Sequence, residues 1–171
     1  MCRLRRCVAI ASLILAATAT PGRSQQHTHM PGMKMEETKS AAPYQPGLGD
    51  LMTAFVQPRH IKLGLAGHEH NWPYAAYELD ELRETFEDIA KLVPKHGSLA
   101  IPNAIAATVD QPMSALGDAI KAKDAAAFSA AYASLTQACN ACHASAGHPQ
   151  IVIQAPTASP FADQDFRPGK P

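Results

Sequence analysis

Cys139-Asn140-Ala141-Cys142-His143 constrains this chain more than any other run of its residues. Two cysteines separated by two residues, with a histidine directly after the second, form the attachment pattern for haem of the c type. The chemistry explains the spacing. Two thiols add across the two vinyl groups of one porphyrin, so both sulfurs must reach a single edge of it. The next residue then lies close enough for its imidazole to bind the iron. On a helix, positions 139, 142 and 143 stand at i, i+3 and i+4 and share one face. The same pattern also serves as a dithiol redox pair or as half of a zinc site. A zinc site needs two further ligands, preferably a second cysteine pair, and the other two cysteines fall in the leader described next.

Arg3, Arg5 and Arg6 precede an apolar stretch, Cys7 to Ala19, of thirteen residues. That is too short to span a bilayer and suits a secretory signal peptide over residues 1–19. Ala17-Thr18-Ala19 fits a small-residue cleavage site, and Gly22-Arg23-Ser24 moves the latest cut to residue 24. The expectation is export to the periplasm of a bacterium, with no stable membrane anchor. Haem c is attached outside the bacterial cytoplasm, so compartment and motif agree. Losing Cys2 and Cys7 leaves Cys139 and Cys142 alone, which excludes a disulfide framework. Cleavage after Ala19 takes three of fifteen basic residues and none of fifteen acidic ones, leaving a net charge of −3 with His neutral. That excludes a strongly basic nucleic-acid binder. About 150 residues remain, enough for one domain.

Residues 20–47 read as a disordered arm, rich in Pro, Gly, Gln, Ser, Lys and Glu with few aliphatic residues. Residues 48–149 read as a helical bundle and 150–171 as an extended tail, parts of which Phe161 and Phe166 pack onto the domain. Ala75, Leu79, Leu82, Phe86, Ile89 and Val93 recur in steps of three and four, predicting an amphipathic helix. Asn71 and Pro73 suit its start and Pro94 its end. Asp124 reads as the N-cap of the last helix, whose stripe is Phe128, Tyr132, Leu135, Cys139, Cys142 and Ala146. Gly147 and Pro149 stop it. A first helix runs from Gly49 to about Gly67 along Met52, Phe55, Val56, Arg59, Leu63 and Ala66, with a kink or restart expected at Pro58. Pro112 divides the stretch 101–122, so only 112–122 is expected to be helical, and 95–103 is expected to be a loop. Strand alternation is nearly absent. The simplest packing is an all-α, antiparallel four-helix bundle.

An all-helical domain with C-x-x-C-H near the end of its last helix resembles the class II c-type cytochromes, the cytochrome c-prime group, over about residues 48–147. The resemblance implies that Cys139 and Cys142 hold the porphyrin, that His143 is the proximal iron ligand, and that the first helix covers the distal face. Two features depart from the group. Ala144 to Pro149 lacks the aromatic and basic residues common after the haem histidine, and the tail beyond Pro149 is long. The stretch from Arg59-His60-Ile61-Lys62-Leu63 to Asn71-Trp72-Pro73 marks a divergent branch.

The sixth iron position decides between an electron carrier and a gas binder. Met52 and His60 on the first helix are the candidate protein ligands; otherwise Met52 is a core filler and His60 a surface or capping residue. His68, His70, His96 and His148 are secondary candidates. Arg59 suits a propionate or is a surface charge. Trp72 reads as a packing staple. Glu78, Asp80, Glu81, Glu84, Glu87 and Asp88 read as a solvated helix face. In the arm, His27, His29, Met30, Met33 and Met35 offer nitrogen and soft sulfur, a set that suits copper and equally fits a spacer. The resulting expectation is a periplasmic monohaem c-type cytochrome, not an enzyme, passing single electrons to periplasmic redox partner proteins. A five-coordinate protein that binds NO or CO and a copper-binding protein are the alternatives. A homodimer stays open.

Overall fold

A computed structural model describes residues 44–169. The predicted signal peptide, with its cleavage sites, and the arm as far as residue 43, including all five of its copper candidates, lie outside the described residues.

The described chain is mostly helical. It begins with α1 (Leu48–Leu51), runs directly into a π-helical segment (Met52–Val56), and continues as α2 (Gln57–His68). The wide segment is closed by the Gln57 amide donating to the Met52 carbonyl. It lies immediately ahead of Pro58. A proline has no N–H to give and its ring presses on the carbonyl one turn back, so a widened turn before it accommodates both. The expected kink or restart is therefore a π-helical segment within unbroken helix. α3 (Trp72–Leu92) starts where the Asn71 side chain accepts from the Tyr74 amide at 3.4 Å, with Pro73 in the first turn.

Residues 95–103, expected to be a loop, contain a two-stranded antiparallel hairpin, β1 (Lys95–His96) and β2 (Leu99–Ala100). Gly97 turns it at φ +59°. Two-residue strands carry too few positions for an alternating pattern to be visible. α4 (Ile101–Ala122) passes straight through Pro112, which corrects the expectation that only 112–122 is helical. Pro112 is buried, so packing of its ring offsets the missing backbone bond. Asp124 caps α5 (Ala125–Ser145) through Oδ1, which accepts from the amides of Ala126 and Ala127 at 2.9 and 3.0 Å. Gly147 leaves the helix at φ +83°.

Consecutive long helices pack on one another, and α5 also packs on α2. Leu63, Leu79, Leu82, Ile89, Leu116 and Leu135 form the fully buried centre. Gly64 and Gly67 bring α2 close to α5: a methyl at Gly64 would meet the Tyr132 ring and one at Gly67 the Phe128 ring. The tail folds back. Phe166 is buried and stacks on Tyr74, with centroids 5.5 Å apart and planes 3° apart. The Asn71 amide donates to the carbonyls of Phe166 and Arg167. Phe161 takes the Lys62 ammonium over its face at 5.0 Å. Two stripe assignments change. Phe55 is 47% exposed, and Glu78, assigned to the solvated face, is buried, its carboxyl pushed up chiefly by that burial. Among the described residues no helix is long and apolar enough to cross a membrane.

Candidate functional site

The last turns of α5 present Cys139, Cys142 and His143, and Ala146 at the helix end, to one cavity of about 420 Å³. Leu48, Gly49, Met52, Thr53, Val56 and Gln57 of the first helix line it too, together with Phe86 of α3. α4 adds Ile101, Ala104, Ile105, Thr108 and Val109. The hairpin contributes His96 and Leu99, and the start of the tail gives His148, Ile151 and Ile153. The lining is predominantly apolar and the volume lies within the ~300–1,000 Å³ usual for small-molecule and cofactor sites. A second hollow of similar volume, between α3 and α4, carries Arg83, Glu87 and Asp110 and no cysteine or histidine.

Both thiols are free and half-buried. Burial pushes the Cys139 thiol up to about 11, with the neighbouring Cys142 adding to it, and burial also raises Cys142. A catalytic dithiol needs the opposite shift, toward thiolate, so this environment disfavours redox C-x-x-C chemistry. Among the described residues no group of three or more His, Cys, Asp or Glu side chains is arranged to hold a metal ion.

His143 makes one side-chain hydrogen bond, between Nδ1 and the Ile151 carbonyl at 3.0 Å. A carbonyl only accepts, so Nδ1 carries a proton, and this bond leaves Nε2 as the nitrogen open to a ligand. Asn140, inside the motif, grips the same tail: its amide donates to the Ile153 carbonyl at 2.9 Å, and its Oδ1 accepts from the Ile153 amide at 2.7 Å. Nothing in a tail with four prolines signalled this contact beforehand; the one available hint was an amide side chain placed between the two cysteines.

Met52 lies on the cavity wall, but His60 does not. His60 is 3% exposed and faces α5. Its Nε2 lies 3.0 Å from the Thr136 hydroxyl and its Nδ1 3.1 Å from the Tyr132 hydroxyl, and the Tyr132 ring stacks on it. Burial lowers its pKa to about 4. It is neither a surface nor a capping residue, and with both nitrogens engaged it offers no lone pair to the cavity. Arg59 is also committed, donating to the Glu81 carboxylate at 2.6 Å and to its backbone carbonyl at 3.1 Å. Trp72 packs between His70 and the edge of Phe128. His68 is largely exposed at the end of α2. His96 and His148 meet at the cavity, with ring centroids 5.8 Å apart. Spacing alone gave no sign of this, since the hairpin that carries His96 was read as a loop.

No protein-family model, no curated protein and no solved structure matches this chain.

Proposed function

We propose that the chain is a periplasmic monohaem c-type cytochrome: an antiparallel four-helix bundle that carries one covalent haem c and passes single electrons to a redox partner. One observation carries the reading. The two thiols and the imidazole of C-x-x-C-H open together onto a single apolar cavity, and the imidazole has its Nε2 free. The donor set also fits: two thiols for thioether bonds and one imidazole for iron. When bound, haem c supplies a one-electron Fe(III)/Fe(II) couple. The protein's part is to hold and tune. Cys139 and Cys142 anchor the group, His143 provides the proximal nitrogen, and the aliphatic walls from α1 to α4 keep water away and raise the cost of net charge.

Protein produced with a c-haem maturation system is expected to have the mature mass plus one haem. The double variant Cys139→Ala, Cys142→Ala is expected to lose that addition. A folded wild-type chain that leaves such a host unmodified rules the proposal out.

Five-coordinate iron that takes up NO or CO is the second reading. The aliphatic walls from α4 favour it, since Met52 is the one thioether among the residues that line the cavity. Ferric and ferrous spectra of wild type and Met52→Ala, with and without CO, separate the two. Ligation by Met52 predicts a coordination change in the variant and slow CO uptake by the wild type. Rapid CO uptake by both proteins, with unchanged spectra, selects the gas-binding reading.

A further inference from the structure

We propose that Asn140 is a positioning residue for His143, acting by strapping the tail segment 151–153 across the motif so that the Ile151 carbonyl fixes the imidazole. The proposal rests on the haem reading above and adds to it a determinant of the iron's electron richness that lies outside the ligands.

The hydrogen bonds form a closed circuit. The His148 amide donates to the His143 carbonyl at 2.8 Å, turning the chain out of α5. The Ile151 amide donates to the His148 carbonyl at 3.0 Å, turning it back. This brings the Ile151 carbonyl to Nδ1 of His143, while two bonds from Asn140 to Ile153 hold the far end. The Asn140 amide meets the Ile153 backbone donor-to-acceptor and acceptor-to-donor, as a neighbouring strand would. Only a side chain with both functions at that reach makes both bonds. Ile151 is 47% exposed, so its apolar burial is a weak hold on the segment, and the paired amide is the stronger tie. Two consequences follow for His143. Its tautomer is set, with Nε2 as the available nitrogen. Donation from Nδ1 also makes Nε2 a better electron donor, which stabilises the oxidised state of a bound iron.

The test uses the full mature, haem-loaded protein as wild type, Asn140→Ala, Asn140→Asp and, as a control in the same segment, Val152→Ala. Two quantities are read in each: the midpoint potential, and the rate at which the His143 Nδ1 proton exchanges with water by NMR of the reduced protein. Asn140→Ala, which removes both bonds to Ile153, is expected to raise the potential and to speed exchange about tenfold, the size expected if the single bond from Nδ1 to the Ile151 carbonyl is released. Asn140→Asp keeps the acceptor for the Ile153 amide but loses the donor, and its exchange rate is expected to fall between; its added charge lowers the potential independently, so this variant is judged by exchange alone. Val152→Ala is expected to match wild type. If Asn140→Ala does not fold, the Asp variant decides by the exchange rate alone. Unchanged potential and exchange, with covalent haem present, overturn the strap and leave the haem reading standing. Wild type without covalent haem overturns both.

Discussion

His60 shows what a titratable side chain costs when it is placed in a core. Its imidazole engages one partner on each nitrogen, Nε2 donating to the Thr136 hydroxyl oxygen and Nδ1 facing the Tyr132 hydroxyl, and is stacked by Tyr132, and that environment has no room for a charge. Its pKa is lowered by burial to about 4, from an ordinary value of 6.5. The neutral form is the folded form. Stability from His60 is complete above pH 6.5 and drains away as the pH falls toward 4, because the unfolded chain binds the proton first. The full loss is roughly 3 kcal/mol across that window. Urea midpoints from pH 7 to pH 4 are expected to fall more steeply for wild type than for His60→Gln. Parallel profiles would show that His60 is not buried neutral. Thr136 and Tyr132 keep backbone partners of their own, the carbonyls of Tyr132 and His60, so the variant strands neither hydroxyl.

At the scale of helices, α2 and α5 meet through an absence of side chain. Gly67 faces the Phe128 ring and Gly64 the Tyr132 ring, and a methyl at either position occupies space already taken. Phe128 is buried and edged by Trp72, so it has little freedom to retreat. Gly67→Ala is expected to cost about 1–3 kcal/mol by overpacking, measured by urea unfolding, even though alanine favours a helix. A gain in stability would mean that the two helices stand further apart. The helices themselves were readable beforehand because their signals are local. Asn71, Asp124 and Gly147 act within one turn, and a buried stripe repeats every three or four residues. The prolines misled because proline chemistry states only a penalty. A π-helical segment offsets it at Pro58 and burial offsets it at Pro112, and both are decided by neighbours distant in sequence. His60 was misread for the same reason. Its partners lie 72 and 76 residues away, and no pattern within its own helix reports them.

Taken whole, the candidate site is a composite. The motif supplies three side chains from α5, the first helix faces them with Met52, α4 adds aliphatic walls, and the hairpin and tail close the rim. The cysteines and His143 could be found from sequence because C-x-x-C-H is a contiguous pattern that a helix turns to one face. Asn140 and the segment 151–153 could not, and His96 stood only as a secondary candidate, because what brings them to the cavity is their position in space. Removing residues 154–171 while keeping Ile151–Ile153 is expected to lower the melting temperature, through loss of Phe166 and its stack on Tyr74, while the spectrum of a loaded protein stays unchanged. On the proposed haem reading, a shifted spectrum would mean that the distal half of the tail also bears on the haem environment.

The tail bonds also set an order in time. α3 pairs with α2 and α4 with α5 across connections of a few residues, whereas Asn71 waits for a carbonyl 95 residues further along the chain. Contacts that distant close late, and contacts held by a few exposed bonds reopen early. The far end of the tail at Phe166 is therefore the last segment to dock, whereas the rim beside His143 is held by partners only 8 and 13 residues apart and closes locally. In hydrogen exchange, the Ile153 amide, held by a single bond to the Asn140 side chain, is expected to lose protection well before the amides at the centre of α5, because few bonds must break to open it.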